Sequence, residues 1–155
     1  MKYCLECLAD KTFLSKIHPQ SIKGIVHSGN KTKVLDDLIK NYDNSIGIID
    51  EDPWSYPPIA LKQFIKYANS RNNYFEILQD LNRNNFLIML KPRLEEWVLQ
   101  AALVSNLKVT DYDLPLNGDD LHAIININIT NFSYLLDDLL RSNNACVKEL
   151  CRYLH

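Results

Sequence analysis

The stretch Ser45-Ile46-Gly47-Ile48-Ile49-Asp50-Glu51-Asp52-Pro53 limits what this chain can fold into more than any other, because an apolar, isoleucine-rich run stops abruptly at three carboxylates and a proline. Such a run, bounded by turn formers, reads as a buried strand of a parallel sheet, and Pro53 ends the ladder because it has no N–H to donate. The acids therefore fall at a strand's C-terminal end. Side chains two apart on a strand share a side, so Asp50 and Asp52 converge if the extended conformation carries on past Asp50, while Glu51 points away. Two carboxylates this close repel unless a proton or a cation lies between them, and hard oxygen donors suit Mg²⁺ or Mn²⁺. The stretch reads as a divalent-metal site.

The elements before it set its context. Lys2 to Leu8 reads as a short strand, followed by a helix capped by Asp10; Lys23 to His27 reads as a second strand. Ser28-Gly29-Asn30 makes a turn into a helix whose apolar face is Val34, Leu35, Leu38 and Ile39. The first third is thus β-α-β-α-β, which predicts a parallel sheet with helices on its faces. Beyond Pro53, the spacing predicts a helix over Ile59 to Ala68, strands over Tyr74 to Leu78 and Phe86 to Leu90, and an amphipathic helix after Pro92 built on Leu94, Trp97, Val98, Ala101 and Val104. Three more helices follow, over Asp119 to Ile125, Asn131 to Leu140 and Asn144 to Tyr153. The division is an α/β core over 1–107 and a helical C-terminal extension over 108–155, packed on the core.

Composition restricts the partners. A formal net charge of −2 removes the basic excess usual in non-specific nucleic-acid binders, so any nucleic-acid role rests on a local patch or on a partner. No long uncharged apolar span and no signal-like segment stand in the sequence, which together with scattered cysteines predicts a reducing, cytoplasmic setting without a membrane partner. Cys4 and Cys7 have C-x-x-C spacing, but three apart on a strand they face opposite sides, and no second pair completes a zinc site.

In an open α/β sheet, ligands bind beyond the strand C-termini where the strand order reverses. If the second and third strands flank the first, Glu6 shares one crevice with Asp50 and Asp52. The other reading of Glu6 is an exposed strand end or a lysine pair. The pattern Glu6-Cys7-Leu8-Ala9-Asp10 with Asp50-Glu51-Asp52 resembles the Toprim domain of topoisomerases, DnaG-type primases and the overcoming-lysogenization-defect nucleases, over roughly residues 1 to 100, with Cys7 standing where that family has glycine. The resemblance implies a Toprim-like α/β fold and a Mg²⁺-dependent, DNA-binding nuclease of a bacterial or phage-related defence system. Asp50 and Asp52 would hold Mg²⁺ or Mn²⁺, with Glu6 as general acid/base or further ligand. The alternative is a non-catalytic α/β module that docks a partner, or a second copy, through its C-terminal helices, whose apolar residues include Phe132, Leu135, Leu136, Leu139 and Leu140.

Lys91-Pro92-Arg93-Leu94-Glu95-Glu96 opens the amphipathic helix. Glu96 has two readings of equal weight: a further metal ligand, as the resemblance implies, or part of an acidic first turn that complements the helix dipole; Glu95 is read as the latter. Lys91 and Arg93, with Lys31 after the second strand, are candidate phosphate contacts. Trp54 and Tyr56 read first as loop packing, with base stacking or partner docking as the other role. The substrate reads as DNA, RNA or a nucleotide.

Overall fold

The computed structural model covers Met1–His155 and holds one six-stranded mixed sheet. Its strands are β1 (Tyr3–Leu5), β2 (Ile25–His27), β3 (Ile46–Asp50), β4 (Ile65–Asn69), β5 (Phe75–Asp80) and β6 (Asn85–Leu90), in the order β2-β1-β3-β6-β5-β4. β1 pairs in parallel with both β2 and β3, and β3 with β6; β5 and β4 run antiparallel. The sheet is thus not purely parallel, since Asp80 to Asn85 is far too short for a parallel crossover and makes β5 and β6 a hairpin.

Strand periodicity divides the core between two faces. Leu5, Ile46, Ile48, Ile77 and Ile88 join a cluster of 29 buried residues with α1 (Leu8–Ile17), α3 (Leu94–Val104), α5 (Ile129–Arg141) and α6 (Ala145–Cys151). Cys4, Ile49, Leu78 and Leu87, one position out of phase, meet Val34 and Leu35 of α2 (Lys31–Asp36) and Leu38 of the turn that follows it on the other face. Cys4 and Cys7 consequently contact different clusters, and all four cysteines are free. α4 (Gly118–Ile124) packs on α3, and α5 lies on α1, where Lys16 Nζ donates to Asp137 Oδ1 at 2.7 Å. Phe132, Leu135, Leu136 and Leu139 are buried in the same core as β1, which leaves Leu140 as the exposed member of that apolar set. No helix is long and apolar enough to cross a membrane.

Local chemistry explains the element boundaries that differ from expectation. Asp10 sits at the third position of α1 rather than at its cap, and its Oδ2 accepts the Cys7 N–H at 2.9 Å, which satisfies a donor that the helix leaves open. Asn30 caps α2 by accepting the Lys33 N–H at 3.0 Å, and a π-helical turn over Asp37–Asn41 prolongs the helix. The expected helix over Ile59 to Ala68 does not form. Instead a 3₁₀ turn over Ile59–Gln63 leads into edge strand β4, which pairs with β5 and carries the Lys66–Glu76 ion pair at 3.1 Å.

β3 lies so close under α2 that Gly47 is required. A Cβ there would come within 2.7 Å of Leu38 Cδ1 and 2.9 Å of Val34 Cγ1. The Leu38 side chain can rotate away but β-branched Val34 is stiff, so Gly47→Ala is expected to fold but to lose about 1–3 kcal/mol to overpacking, read as a lower urea midpoint with unchanged m-value.

Candidate functional site

Because β1 lies between β2 and β3, the chain reverses direction across the sheet at the β1/β3 boundary, where such folds open a crevice. Glu6 follows β1 directly and Asp50 is the last residue of β3. The two are 44 positions apart in sequence and in direct contact: Glu6 Oε1 accepts the Asp50 N–H at 3.1 Å. Asp50 Oδ1 in turn accepts the Leu94 N–H at 2.9 Å, at the open N-terminal end of α3. Asp10, 5% exposed on the first turn of α1, and Glu95, 4% exposed on the first turn of α3, complete an acidic cluster lodged between two helix N-termini. Glu95 Oε1 lies 2.9 Å from His122 Nδ1, while its Oε2 is buried with no partner.

Burial and then crowding drive Asp50, Glu6 and Asp10 toward their protonated forms. Asp50 is pushed up to about 8, first by burial and then by the charges of Asp10, Glu6 and Glu95. Glu6 rises to about 7, chiefly through burial, against the opposing pull of the Asp50 N–H and of Lys31. Asp10 rises to about 6, again through burial first, with Glu95 adding to it and the Cys7 N–H opposing. The cluster therefore exchanges protons close to neutral pH, or accepts a hard cation in their place.

Asp52 does not join Asp50 in the way strand periodicity predicts. The strand stops at Asp50, and Asp52 takes a left-handed φ of 53°, which turns the chain out of the extended form. Its Oδ2 accepts from Ser55 Oγ at 2.9 Å and lies 3.9 Å from Lys31 Nζ, in an open cleft of about 540 Å³ that Glu6, Asn30, Lys33 and Tyr56 also line. Glu6 is the link between the cleft and the buried cluster, because it feels both Asp52 and Asp10. Glu51 points elsewhere, with Lys91 Nζ 4.0 Å away.

The remaining candidates fall outside this crevice. Glu96 bonds Arg93, whose Nε donates to Glu96 Oε2 at 3.1 Å and whose Nη2 donates to Asp119 Oδ1 at 2.9 Å, with the guanidinium 5.1 Å from the Trp54 ring centre. Lys91 is tied to Glu76 at 3.0 Å. It is Glu95 that acts on Asp50 and Asp10. Spacing alone does not separate the two, since Glu95 aligns with Val98 and Ala102 and Glu96 with Leu99 and Leu103, all apolar; the structure buries the first pair and leaves Leu103 69% exposed. As the side chains stand, no three His, Cys, Asp or Glu groups form a metal cage. Comparison of the chain with protein-family models, curated proteins and solved structures finds no match.

Proposed function

We propose that this chain is a Toprim-like, Mg²⁺- or Mn²⁺-dependent phosphodiester-cleaving protein, with a nuclease role in a defence system as its setting. The observation that carries the reading is the meeting of Glu6 and Asp50, distant in sequence, at the C-terminal ends of adjacent parallel strands. The donor set suits a hard divalent ion: acids that raise one another's proton affinity, and a buried carboxylate oxygen of Glu95 with no partner. Glu6 and Asp50, with Asp52 on the cleft side and Glu95 on the buried side, are the residues that would hold it after side-chain rotation. A bound ion of this kind supplies charge to a phosphoryl oxygen and acidifies a bound water. Glu6 lies where crevice and cleft meet, so its carboxylate is the group placed to take a proton from the attacking water.

Local cations compensate for the negative net charge. Lys31 and Lys33 line the cleft beside Glu6 and are the phosphate contacts favoured here, since Lys91 and Arg93 are already neutralised by Glu76, Glu96 and Asp119. Arg71, Lys148 and Arg152 line a second pocket of about 280 Å³ with Glu149, whose Oε1 accepts the Arg71 N–H at 2.9 Å. Register puts the β4–β5 turn that carries Arg71 on the same sheet edge as the acids, because Phe75 pairs with Leu90 and Leu90 with Asp50. A polyanion crossing that edge meets cations on both sides of the acidic crevice.

Thermal melts in EDTA, Mg²⁺ and Mn²⁺, followed by cleavage assays on labelled DNA and RNA, test the reading. A cation at a hundredfold over its Kd is expected to stabilise the chain by about 2.7 kcal/mol, and cleavage should require the same ion. A melt blind to both ions, with no cleavage, overturns the proposal. It would favour the interaction module, for which the supporting observation is an apolar groove of about 560 Å³ beside α3, lined by Leu99, Leu103, Leu107, Val109 and Leu116.

A further inference from the structure

We infer that the cleft beside Glu6 takes an unpaired nucleotide, its base stacked on the Tyr56 ring and its phosphate held by Lys31 and Lys33, so that the substrate is a single strand and not an intact duplex. The inference rests on the phosphodiester-cleaving reading above. Tyr56 is 99% exposed, so it serves neither the core nor loop packing. The ring lines the same cleft as Glu6, Lys31, Lys33 and Asp52, and about 540 Å³ is ample for one nucleotide.

The loop restrains the backbone that carries the ring. Ser55 N donates to Asp52 O at 3.0 Å and Ser55 Oγ to Asp52 Oδ2 at 2.9 Å, which closes the turn before Tyr56. Pro57 and Pro58 restrict the backbone after it, so stacking has only the side-chain torsions of Tyr56 left to order. Trp54, the other aromatic of the loop, has the Arg93 guanidinium 5.1 Å from its ring centre and does not line the cleft, so Tyr56 is the ring placed to meet a base there.

The cations complete the recognition. Nine of the 17 lysines and arginines are ion-paired; Lys31 lies 3.9 Å from Asp52 and donates to the Glu51 carbonyl at 3.1 Å, which leaves it turned to the cleft with its charge loosely paired, whereas Lys33 is exposed and unpaired on the cleft wall. A base inside a duplex has both faces covered by its neighbours, so a single protruding ring beside two cations discriminates for an unstacked base.

The test is fluorescence anisotropy of short labelled strands with cleavage-resistant phosphorothioate linkages, as DNA, as RNA and as the corresponding duplexes, on the full chain with Mg²⁺. Single strands of at least one of the two sugars are expected to bind at least tenfold more tightly than their duplexes. Tyr56→Ala should weaken single-strand binding by roughly 5- to 150-fold, the range for one lost base stack, while Tyr56→Phe retains it. Lys33→Ala should weaken binding and lower the salt slope by about one. Tyr56 is fully exposed, so an unchanged melting temperature in Tyr56→Ala separates lost stacking from lost folding. Duplex binding equal to single-strand binding, or a Tyr56→Ala chain that binds strands like the wild type, overturns the inference, and the second result would assign the ring to a protein partner. The cation-linked rise in melting temperature is read on the same samples: its persistence beside a failed strand preference leaves the phosphodiesterase reading standing, and its absence removes that reading.

Discussion

Asp50→Asn is expected to make the chain more stable at pH 8 and to remove its response to Mg²⁺ and Mn²⁺. The carboxyl of Asp50 is pushed up to about 8 by burial and by Asp10, Glu6 and Glu95, so holding it ionised costs the folded state and not the unfolded one. Asparagine keeps the oxygen that accepts the Leu94 N–H at the start of α3 and removes the charge. The gain is roughly 2–5 kcal/mol at pH 8, from the usual 1.4 kcal/mol per unit of pKa, which for a chain this size is on the order of 10 °C in Tm. At pH 5 the native carboxyl is already protonated while the unfolded one is mostly ionised, so the gain should fall to about 1–2 kcal/mol and vanish only below about pH 4. Loss of one cation ligand and of its charge should lower cleavage by about 10²-fold or more. Differential scanning calorimetry at the two pH values, with and without Mg²⁺, reads the stability arms together. A variant less stable at pH 8 and still stabilised by Mg²⁺ would leave Asp50 as a helix cap and nothing else.

That stability-for-function exchange was legible in part before any coordinates. The Ile46–Asp50 strand, its stop before Pro53 and the neighbouring β1 follow from apolar runs and turn formers, and Glu6 was suspect because a carboxylate beside a short apolar strand needs a cause. Three things were not legible, each for a physical reason. The side on which Asp52 falls depends on one backbone rotation, a φ of 53°, and aspartate is among the few residues for which a left-handed φ is cheap. Glu95 and Glu96 have the same chemistry and both have apolar residues at helical spacing, so a helix rotation of about 100° that only packing sets decides which faces the crevice. β4 lies in a stretch whose sequence suits a helix, and its conformation comes from pairing with the open edge of β5 and not from burial, since Ile65 and Tyr67 are both exposed. The meeting of Glu6 with Asp50 belongs to a different level again. It depends on the strand order β2-β1-β3, a property of the whole sheet, and the sequence supplied only the condition under which it would happen.

The metal-free chain should lose stability as pH rises from about 5 to 8, the reverse of what salt-bridged carboxylates produce. An acid whose folded pKa lies above its unfolded value binds more protons in the folded state between the two, so the slope of stability against pH is negative there. Asp10 at about 6, Glu6 at about 7 and Asp50 at about 8 all lie above the usual carboxylate values near 4, so their contribution is complete below that range and is lost as pH climbs through each of the three. Each proton involved is worth up to about 1.4 kcal/mol per pH unit, which makes the whole fall several kcal/mol. Other groups modify this without reversing it. Burial, aided by nearby His155, lowers the His18 pKa, and this gives a single opposing slope below about 6.5, the ordinary histidine value. Glu76, held low by Lys91 and Lys66, acts only in the acid range below the window. A saturating divalent cation replaces the protons, so in Mg²⁺ the slope should flatten and the two curves should diverge most at pH 8. Calorimetric melts at unit steps from pH 5 to 8, in EDTA and in Mg²⁺, measure both. A metal-free Tm that rises across that range would mean that Glu6, Asp10 and Asp50 are comfortably ionised in the folded chain, and the electrostatic case for a cation between them would fall with it.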